Sequence, residues 1–411
     1  MTQSRNKAIF LSYEGHGQSY LEALYLPILK SIENPPIDFT VVHFIPKDHP
    51  QKATDAAAAQ RLGVRLHFLN NYHNAPQLLS TLFCILNGIL KVNSIAAREK
   101  IDFIHARGLI PGLITLCVTF FRRKIKTIFD PDGFVPEFRV ETGLLNEQSF
   151  MFKALKKIEK RLVEKSDLIL ARSQNARKIM SDWYGAEAEA KIYVTPNGKD
   201  ENCYRPFSPE ENRKIRQKYG LSQDAIFVIY VGSMSENFLP DKMFRLFSGV
   251  KKLEPNSFFL LLSGTDFEPL DEMARAEGLT ETDYTVERVF PSEVPAFISA
   301  ADVGFSFRTP TLSNLGVSPL KVCEYLLCGT PAVVNSGTGD LESLFETNEG
   351  LGFLLKETSD EELNQAAEWV VRTAKPKREC FRETARRGGI EEFGLSRIKK
   401  LYENVYSKLI N

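Results

Sequence analysis

Apolar residues in this chain fall into short runs, separated by polar segments with helical spacing. In the first half, the runs predict buried strands at 8–12, 39–44, 65–69, 103–105, 126–129, 168–171 and 192–194. In the second half, they predict strands at 225–231, 258–263, 286–290, 303–307 and 331–334. Strands that alternate with helices are typical of βαβ units. The pattern therefore predicts an α/β fold with mostly parallel sheets and helices on both faces.

Chain length indicates two domains, because 411 residues exceed what one hydrophobic core usually supports. Residues 200–223, which are rich in charge and contain two prolines, separate the two sets of strands. We predict a first domain over 1–199, a second over 200–385 and a C-terminal helical segment over 386–411. That last segment carries an apolar stripe, formed by Ile398, Leu401, Val405 and Leu409.

Charge is balanced overall but unevenly distributed. The chain has 52 Lys and Arg against 52 Asp and Glu, yet residues 1–205 hold 28 against 21 and the remainder 24 against 31. A basic first half could attract an anionic surface or a phosphorylated acceptor, and chance asymmetry is the alternative. An apolar stretch over 113–126 that ends in arginines and lysines, with a basic helix over 153–165, suggests contact with an anionic membrane leaflet. A buried helix followed by a solvated basic turn explains the same pattern. Nothing in the pattern indicates nucleic-acid binding.

The six cysteines show neither CxxC pairs nor His/Cys metal spacing, and most lie in apolar runs. We interpret them as reduced thiols of a cytoplasmic protein and predict no metal site. The polar segment 1–7 leads straight into a strand, which is not the pattern of a signal peptide. The apolar run 109–121 contains Pro111 and Gly112 and is too short to span a bilayer.

The run 318–340 (SPLKVCEYLLCGTPAVVNSGTGD) combines a short helix, a strand and a glycine-rich loop. Its pattern predicts a helix over 321–328, capped by Ser318, with Pro319 in the first turn and Gly329 as the stop. A helix N-terminus next to Lys321 and Glu324 is a good binding site for phosphate. An ordinary αβ unit with a capping serine and a surface lysine is the alternative.

The same run resembles the donor-binding motif of the family-4, retaining nucleotide-sugar glycosyltransferases of the GT-B fold, in the form SP-x-K-x-x-EY-x-x-x-G-x-P followed by G-x-GD. Three further segments are similar to that family: the P-N-G turn at 196–198, the Y-x-GS turn at 230–233 and the segment 292–304 (SEVPAFISAADVG). The resemblance covers nearly the whole chain and is densest over 225–345. It implies two Rossmann-like, doubly wound domains that face each other across a cleft, with the C-terminal helix crossing back onto the first domain.

In that family, the motif glutamate bonds the donor ribose, and the preceding loop and helix N-terminus hold the phosphates. The resemblance therefore implies that Lys321 and Glu324 are catalytic and donor-binding, and that Ser318 lies in the phosphate loop. The common family pattern has a second glutamate eight positions before the first. Gly316 stands there in this chain, so the usual sugar-contacting carboxylate is missing.

Many family members also clamp the diphosphate with an arginine near the Y-x-GS turn. Ser233 stands at that arginine position in this chain. The implied substitutes are the backbone N–H groups of Gly232 and Ser233 together with Lys321 and Arg308. These residues complete the predicted donor-binding set in the second domain.

In the first domain, the loop after the first strand carries Gly15, His16 and Gly17. Glycines there let a backbone approach a ligand closely, and the family places a glycine loop at the cleft. The resemblance implies donor contact by Gly15 and Gly17 and acceptor contact by His16. A dinucleotide fingerprint is not supported, because the third glycine and the acidic residue after the second strand are missing.

Two further strand ends in the first domain carry polar side chains. At the first, Arg107 is predicted as an acceptor-side cleft residue near a phosphate, with a surface ion pair as the alternative, whereas His105 has the pattern of a buried structural histidine. At the second, residues 130–137 (DPDGFVPE) resemble a family segment in which Asp130 accepts hydrogen bonds from the transferred sugar, so the resemblance implies a catalytic role for Asp130. Asp132 occupies the usual arginine position, and an Asx-type turn is the alternative.

The predicted function is transfer of a sugar from a nucleoside diphosphate donor to a hydroxyl of a glycan or lipid-linked acceptor, with retention, in cell-surface polysaccharide synthesis. The expected partners are that donor, that acceptor and the inner leaflet, and no cofactor or metal is expected. Two alternatives stay open. Gly316 and Ser233 suggest a non-catalytic nucleotide-sugar-binding homologue, and the same fold also serves sugar-nucleotide epimerases. The sequence does not identify the sugar, the base, the acceptor or the oligomeric state.

Overall fold

A computed structural model describes residues 5–15, 19–71, 77–264 and 267–410 of the chain. It contains two compact units, one formed by 1–196 with 398–411 and the other by 197–397. Thirteen strands make up the two sheets over the described residues: β1 Asn6–Tyr13, β2 Ile37–Pro46, β3 Arg65–Asn71, β4 Phe103–Arg107, β5 Lys126–Asp130, β6 Leu168–Ala171, β7 Ile192–Val194, β8 Ile226–Val231, β9 Ser257–Leu262, β10 Tyr284–Glu287, β11 Val303–Ser306, β12 Ala332–Asn335 and β13 Gly352–Leu355.

The α-helices are α1 Leu26–Ser31, α2 Lys52–Leu62, α3 Gln77–Glu99, α4 Leu109–Phe121, α5 Val135–Glu141, α6 Phe150–Lys165, α7 Gln174–Tyr184, α8 Ala186–Glu189, α9 Pro209–Lys218, α10 Pro240–Leu253, α11 Phe267–Ala276, α12 Val294–Ala300, α13 Leu312–Leu315, α14 Leu320–Leu327, α15 Leu341–Thr347, α16 Asp360–Trp369, α17 Arg378–Phe393 and α18 Leu395–Ile410. Two π-helical turns, Leu21–Tyr25 and Val370–Ala374, adjoin α1 and α16, and two 3₁₀ turns lie at Glu236–Phe238 and Glu349–Leu351.

The first unit is built on a seven-stranded sheet of order β3-β2-β1-β4-β5-β6-β7, in which every described pairing is parallel. Its strands are almost continuously apolar because helices cover both faces. One core cluster joins β1 and β2 to α3 and α4, and a second joins β5 and β6 to α6 and α7. The predicted α/β class is confirmed.

The second unit repeats this plan with a six-stranded parallel sheet of order β10-β9-β8-β11-β12-β13. Its two faces are covered by separate clusters, one centred on α10 and α16 and the other on α12, α14 and α17. Both sheets therefore have the doubly wound order, in which the chain reverses direction at the pair β1/β4 or β8/β11. In such sheets, ligands bind beyond the carboxyl ends of the strands at this reversal point.

The C-terminal region differs from the prediction in its internal boundaries. The single helical segment expected over 386–411 consists of α17 and α18, which meet at Gly394. On α18, Ile398, Val405 and Leu409 are buried, and residues 398–411 belong to the first unit. Leu401 is only partly buried. The predicted domains end at residues 199 and 385, whereas the corresponding compact units end at residues 196 and 397.

Among the described residues, α3 is the one helix whose span Leu79–Glu99 is long and apolar enough to cross a membrane by length and composition. A core helix passes the same test, and Cys84, Val92 and Ile95 of α3 are indeed buried in the core of the first unit. This span does not stand out in the sequence, because Ser80, Thr81 and later polar residues interrupt its apolar run.

Candidate functional site

In the second unit, the reversal point lies between the carboxyl ends of β8 and β11. Gly232 and Ser233 follow β8, Arg308 follows β11 closely, and the N-terminus of α14 begins nearby with Lys321. A Cβ atom added to Gly232 would lie 2.7 Å from Cε of Lys321, so the turn and the lysine are in direct contact. The structure thus brings together the predicted residues Gly232 and Lys321.

The Lys321 ammonium group is enclosed by aromatic rings. Its Nζ atom lies 3.7 Å from the ring centroid of Phe238 and 5.0 Å from that of Tyr230. Among the described residues, no carboxylate oxygen lies within the 4.0 Å ion-pair limit of this Nζ atom. Desolvation, with a smaller contribution from Arg308, lowers the pKa of Lys321 to about 7. A cation held in this way is stabilised by an added anion.

Backbone groups at the start of α14 add to this positive site. The helix begins at Leu320, so the N–H groups of Leu320, Lys321 and Val322 have no acceptor within the helix, and the first such bond runs from Cys323 to Pro319. Helix N-termini carry a partial positive charge. The arrangement of Lys321 beside these N–H groups can bind a phosphate or diphosphate group.

The predicted cap of this helix is wrong. Pro319 occupies the N-cap position with an extended backbone, and no side chain caps the helix. The Ser318 side chain is used elsewhere, since its Oγ accepts from the Asn197 N–H at 3.0 Å. The Asn197 side-chain amide donates to the Ser318 carbonyl at 3.0 Å. Ser318 therefore fixes the loop before the helix by a contact with a residue 121 positions away.

Glu324 is held by two groups that the sequence analysis did not include. Its Oε1 lies 3.1 Å from Nζ of Lys199, and both side chains are largely buried. The Tyr204 hydroxyl donates to the same carboxylate, and burial together with Glu324 raises the pKa of Tyr204 far above its usual value. These contacts orient the carboxylate. Such a group can accept hydrogen bonds from ligand hydroxyls.

Arg308 belongs to a polar network at the end of β11. Its Nη1 donates to Oδ1 of Asn314 at 2.9 Å, and its backbone exchanges hydrogen bonds with the Asn335 side chain at 2.9 and 2.8 Å. Its guanidinium also lies 4.9 Å from the centroid of Phe238, the ring that contacts Lys321. Arg308 and Lys321 therefore share one aromatic wall, as expected for two cations that serve one anion.

One N–H group that was predicted to bind phosphate already donates a hydrogen bond within the sheet. The Gly232 N–H donates to the Leu262 carbonyl at 2.9 Å, continuing the sheet ladder. The expectation that this N–H binds phosphate is therefore wrong. Ser233 is exposed, and its carbonyl accepts from the Tyr230 hydroxyl at 2.6 Å. Gly316, at the position of the missing glutamate, is buried at the end of α13.

In the first unit, Asp130 is the centre of a buried ion cluster. Its Oδ2 accepts from Arg172 and, at 2.9 Å, from Arg107, and Nε2 of His105 lies 3.6 Å away. Burial opposes ionisation, but Arg172 and Arg107 outweigh it and hold the pKa of Asp130 well below its usual range. Asp130 has no exposed surface. This geometry supports a positioning role, and direct contact of Asp130 with a sugar stays a prediction.

Arg107 is fully engaged in the same cluster rather than in a surface ion pair. It binds Asp130 and Asp132 and donates from Nε to the Tyr25 hydroxyl at 2.9 Å. His105 is buried, as its pattern predicts, and its Nδ1 lies 2.9 Å from the Tyr406 hydroxyl. Burial lowers the pKa of His105, so this ring is neutral. The predicted acceptor role of Arg107 stays a prediction.

The loop after β1 is only partly described. Gly15 is exposed, and a Cβ atom added there would meet nothing within 4 Å. His16 and Gly17 lie outside the described residues, so their predicted contacts stay predictions. Beside them, Glu14 accepts from the Tyr20 N–H at 3.0 Å, and burial raises the pKa of Glu14 to about 7.

The residues that the local sequence does not single out lie far along the chain from the site residues that they contact. Asn197 lies in the P-N-G turn and Lys199 directly follows it, whereas Arg172 and Phe238 carry no signal in the local sequence. The turn at 196–198 was the one available signal. Within the described ranges, no group of three or more His, Cys, Asp or Glu residues is placed to hold a metal ion.

Comparison with known proteins places these features in a family. A model of the group 1 glycosyl transferases matches residues 211–388, and a model of glycosyltransferase family 4 matches residues 38–202. The D-inositol 3-phosphate glycosyltransferase of Rhodococcus erythropolis is 27% identical over 184 residues, which are 43% of this chain and 39% of that relative. The match therefore spans about two fifths of the relative's length.

Solved structures agree over the whole chain. Sucrose-phosphate synthase from Thermosynechococcus elongatus has a TM-score of 0.76 at 15% identity and covers 99% of both chains. HepE from Anabaena, in complex with UDP and glucose, has a TM-score of 0.73 at 17% identity and covers 98% of this chain and 99% of its own. At these identities, the likeness establishes the fold.

Proposed function

Because this chain belongs to the family-4 glycosyltransferases of the GT-B fold, we propose that it transfers a sugar from a nucleoside diphosphate to a hydroxyl of a glycan or lipid-linked acceptor. The transfer proceeds with retention, without a metal, in cell-surface polysaccharide synthesis at the cytoplasmic face of the membrane. The observation that carries the proposal is Lys321. It is a desolvated lysine with no carboxylate partner among the described residues, at a helix N-terminus next to an oriented glutamate.

The diphosphate of the donor lies on the N–H groups of Leu320 to Val322, with Lys321 and Arg308 beside it. As the sugar–phosphate bond breaks, negative charge grows on the departing diphosphate. Preorganised N–H groups and cations stabilise that charge better in a desolvated site than water does. Proton transfer from Lys321 is not required, because a diphosphate is a stable anion. The lysine has to be charged in the bound state.

Glu324 accepts hydrogen bonds from the ribose hydroxyls. Lys199 and Tyr204 hold its carboxylate in place, so little ordering is needed when the donor binds. A uridine donor is the first to test, since HepE has been solved with UDP and with UDP-glucose. In the first unit, Arg107 contacts the acceptor, and Asp130 positions Arg107.

A thermal-shift panel of UDP-, GDP-, ADP- and CMP-sugars identifies the donor, because a bound ligand stabilises the folded state. Transfer is then measured for Lys321→Met and Glu324→Gln, with the exposed residues Lys252→Met and Glu361→Gln as matched controls. Glutamine keeps the shape of Glu324 and so avoids leaving Lys199 buried and wholly unpaired. Loss of a hydrogen bond to a charged group is worth about 1.5–3 kcal/mol, so each site variant should lose about 10- to 100-fold in kcat/KM.

Three results would contradict the proposal. Wild-type transfer in both site variants would remove the assigned site. Tight donor binding without transfer to any acceptor mixture would identify a non-catalytic homologue. An epimer formed from donor alone would identify an epimerase. The anomeric configuration of the first product, read by NMR, tests retention separately.

A further inference from the structure

Helix α3 is apolar on two opposite sides. Its inner side packs into the first unit, with Cys84, Val92, Ile95 and Ala96 buried against α4 and the sheet. Its outer side is also apolar and exposes Leu79, Leu82, Leu86 and Leu90 by 60%, 49%, 60% and 70%. A surface helix of a water-soluble unit normally has one apolar stripe and a polar opposite face. The outer leucines of α3 therefore need a partner other than water.

The C-terminal end of α4 extends this exposed surface. Phe120 and Phe121 are 67% and 80% exposed, with ring centroids 5.1 Å apart. Nε of Arg122 donates to Oδ1 of Asn93 at 2.6 Å, which ties this end of α4 to the turn of α3 that follows Leu90. We call the surface formed by Leu79, Leu82, Leu86, Leu90, Phe120 and Phe121 the apolar face.

The charged residues that α3 contributes before Glu99, and those directly after α4, have one sign. Between Leu78 and Ala97, Lys91 is the single charged residue, and α4 carries none over Leu109–Phe121. Arg122, Arg123 and Lys124 follow directly after Phe121, and Arg123 and Lys124 are exposed. The apolar face is thus bordered by cations, and neither α3 before Glu99 nor α4 supplies an acid to pair with them.

We propose that the apolar face docks on an anionic lipid bilayer, with α3 lying in the membrane plane. The leucines and phenylalanines enter the boundary between headgroups and acyl chains. Arg123 and Lys124 lie against anionic headgroups. Interfacial helices bind in this way, through buried apolar area together with attraction to anionic lipid, and each basic residue near such a surface adds about 1 kcal/mol.

A second copy of the chain fits this surface less well. A two-fold contact presents the same patch from both sides, so each copy would bring the same basic residues, and neither α4 nor α3 before Glu99 would supply an acid to pair with them. An anionic bilayer supplies the missing negative charge. The inference does not depend on the transfer reaction, because lipid binding can be measured on protein without donor or acceptor.

The full chain is tested by flotation with vesicles of phosphatidylcholine alone and with about 30% phosphatidylglycerol. The wild-type protein should float with the anionic vesicles at least tenfold more than with the neutral ones, and high salt should lower its binding. Leu86→Ser/Phe121→Ser should reduce the partition coefficient at least tenfold. Arg123→Glu/Lys124→Glu should abolish the preference for anionic lipid.

Matched controls lie in the second unit. Leu253→Ser removes another exposed leucine, 40% exposed, and Arg213→Glu/Lys214→Glu reverses two exposed charges on α9. Both should float like wild type, and circular dichroism should show that all variants are folded. The proposal is overturned if wild-type protein does not float. It is also overturned if the apolar-face variants float normally, or if they lose only a concentration-dependent dimer seen without vesicles.

Discussion

At the residue scale, the account depends on the protonation of Lys321. Desolvation, followed by Arg308, lowers the pKa of Lys321 to about 7, and Glu324 opposes them weakly. A bound diphosphate favours the charged form and raises that pKa. Above pH 7 the free lysine is mostly neutral and the bound lysine is charged. Binding must therefore take up a proton in this range.

This linkage predicts how nucleotide affinity varies with pH. Between pH 7 and the pKa of the bound state, UDP affinity should fall by up to about tenfold per pH unit. At pH 8, binding should take up about one proton, measured by calorimetry in buffers of different ionisation enthalpy. Lys321→Met should bind more weakly, with nearly constant affinity and little proton uptake. Equal uptake by the variant would assign the proton to another group.

At the element scale, the turn after β8 has to be glycine for two separate reasons. Gly232 has a φ of +122°, and a Cβ there would lie 2.7 Å from Cε and 3.2 Å from Nζ of Lys321. Gly278 has a φ of +76° but nothing within 4 Å of the added Cβ. Comparing substitutions at these two glycines therefore separates the effect of backbone strain from the effect of displacing Lys321.

Gly232→Ala and Gly278→Ala should both lower the free energy of unfolding, by about 1–3 kcal/mol, as measured by urea denaturation. Only Gly232→Ala should also weaken UDP binding, by about tenfold or more, because the lysine has to move. If the two variants lose affinity equally, the contact between the turn and Lys321 has no role in binding.

Local patterns in the sequence predicted strands and helix ends well where no distant residue competes for the same side chain. The apolar runs predicted twelve of the thirteen strands and missed β13, Gly352–Leu355, whereas Gly329, with a φ of +72°, ends α14 as predicted. The cap of the same helix was wrong, because Ser318 bonds Asn197 instead. Ser318 could bond either its own helix or a distant residue, and it bonds the distant one. A local sequence pattern carries no information about that residue.

At the scale of the whole molecule, two doubly wound sheets and the family followed from motifs spread over the chain. The partners of the site residues did not follow, because Lys199 lies 125 positions before Glu324, and Arg172 lies 42 positions after Asp130. Acidic and basic residues that could form an ion pair occur many times in a chain of this length. Only the fold selects which of them meet.

The apolar face was only partly foreseen. The end of α4 and its basic residues stood out in the sequence, whereas α3 did not, because its inner and outer apolar residues form one mixed run. Burial in the structure separates the two sides. The predicted contact with an anionic leaflet thereby gains a defined set of residues to mutate.

The measurement that tests the central claim most directly is a crystal structure of the protein with a bound nucleoside diphosphate. We predict diphosphate oxygens within about 3 Å of Lys321 Nζ and of the first N–H groups of α14, and a ribose hydroxyl at the same distance from Glu324. A diphosphate bound away from Lys321, with Glu324 still paired only to Lys199 and Tyr204, would contradict the account.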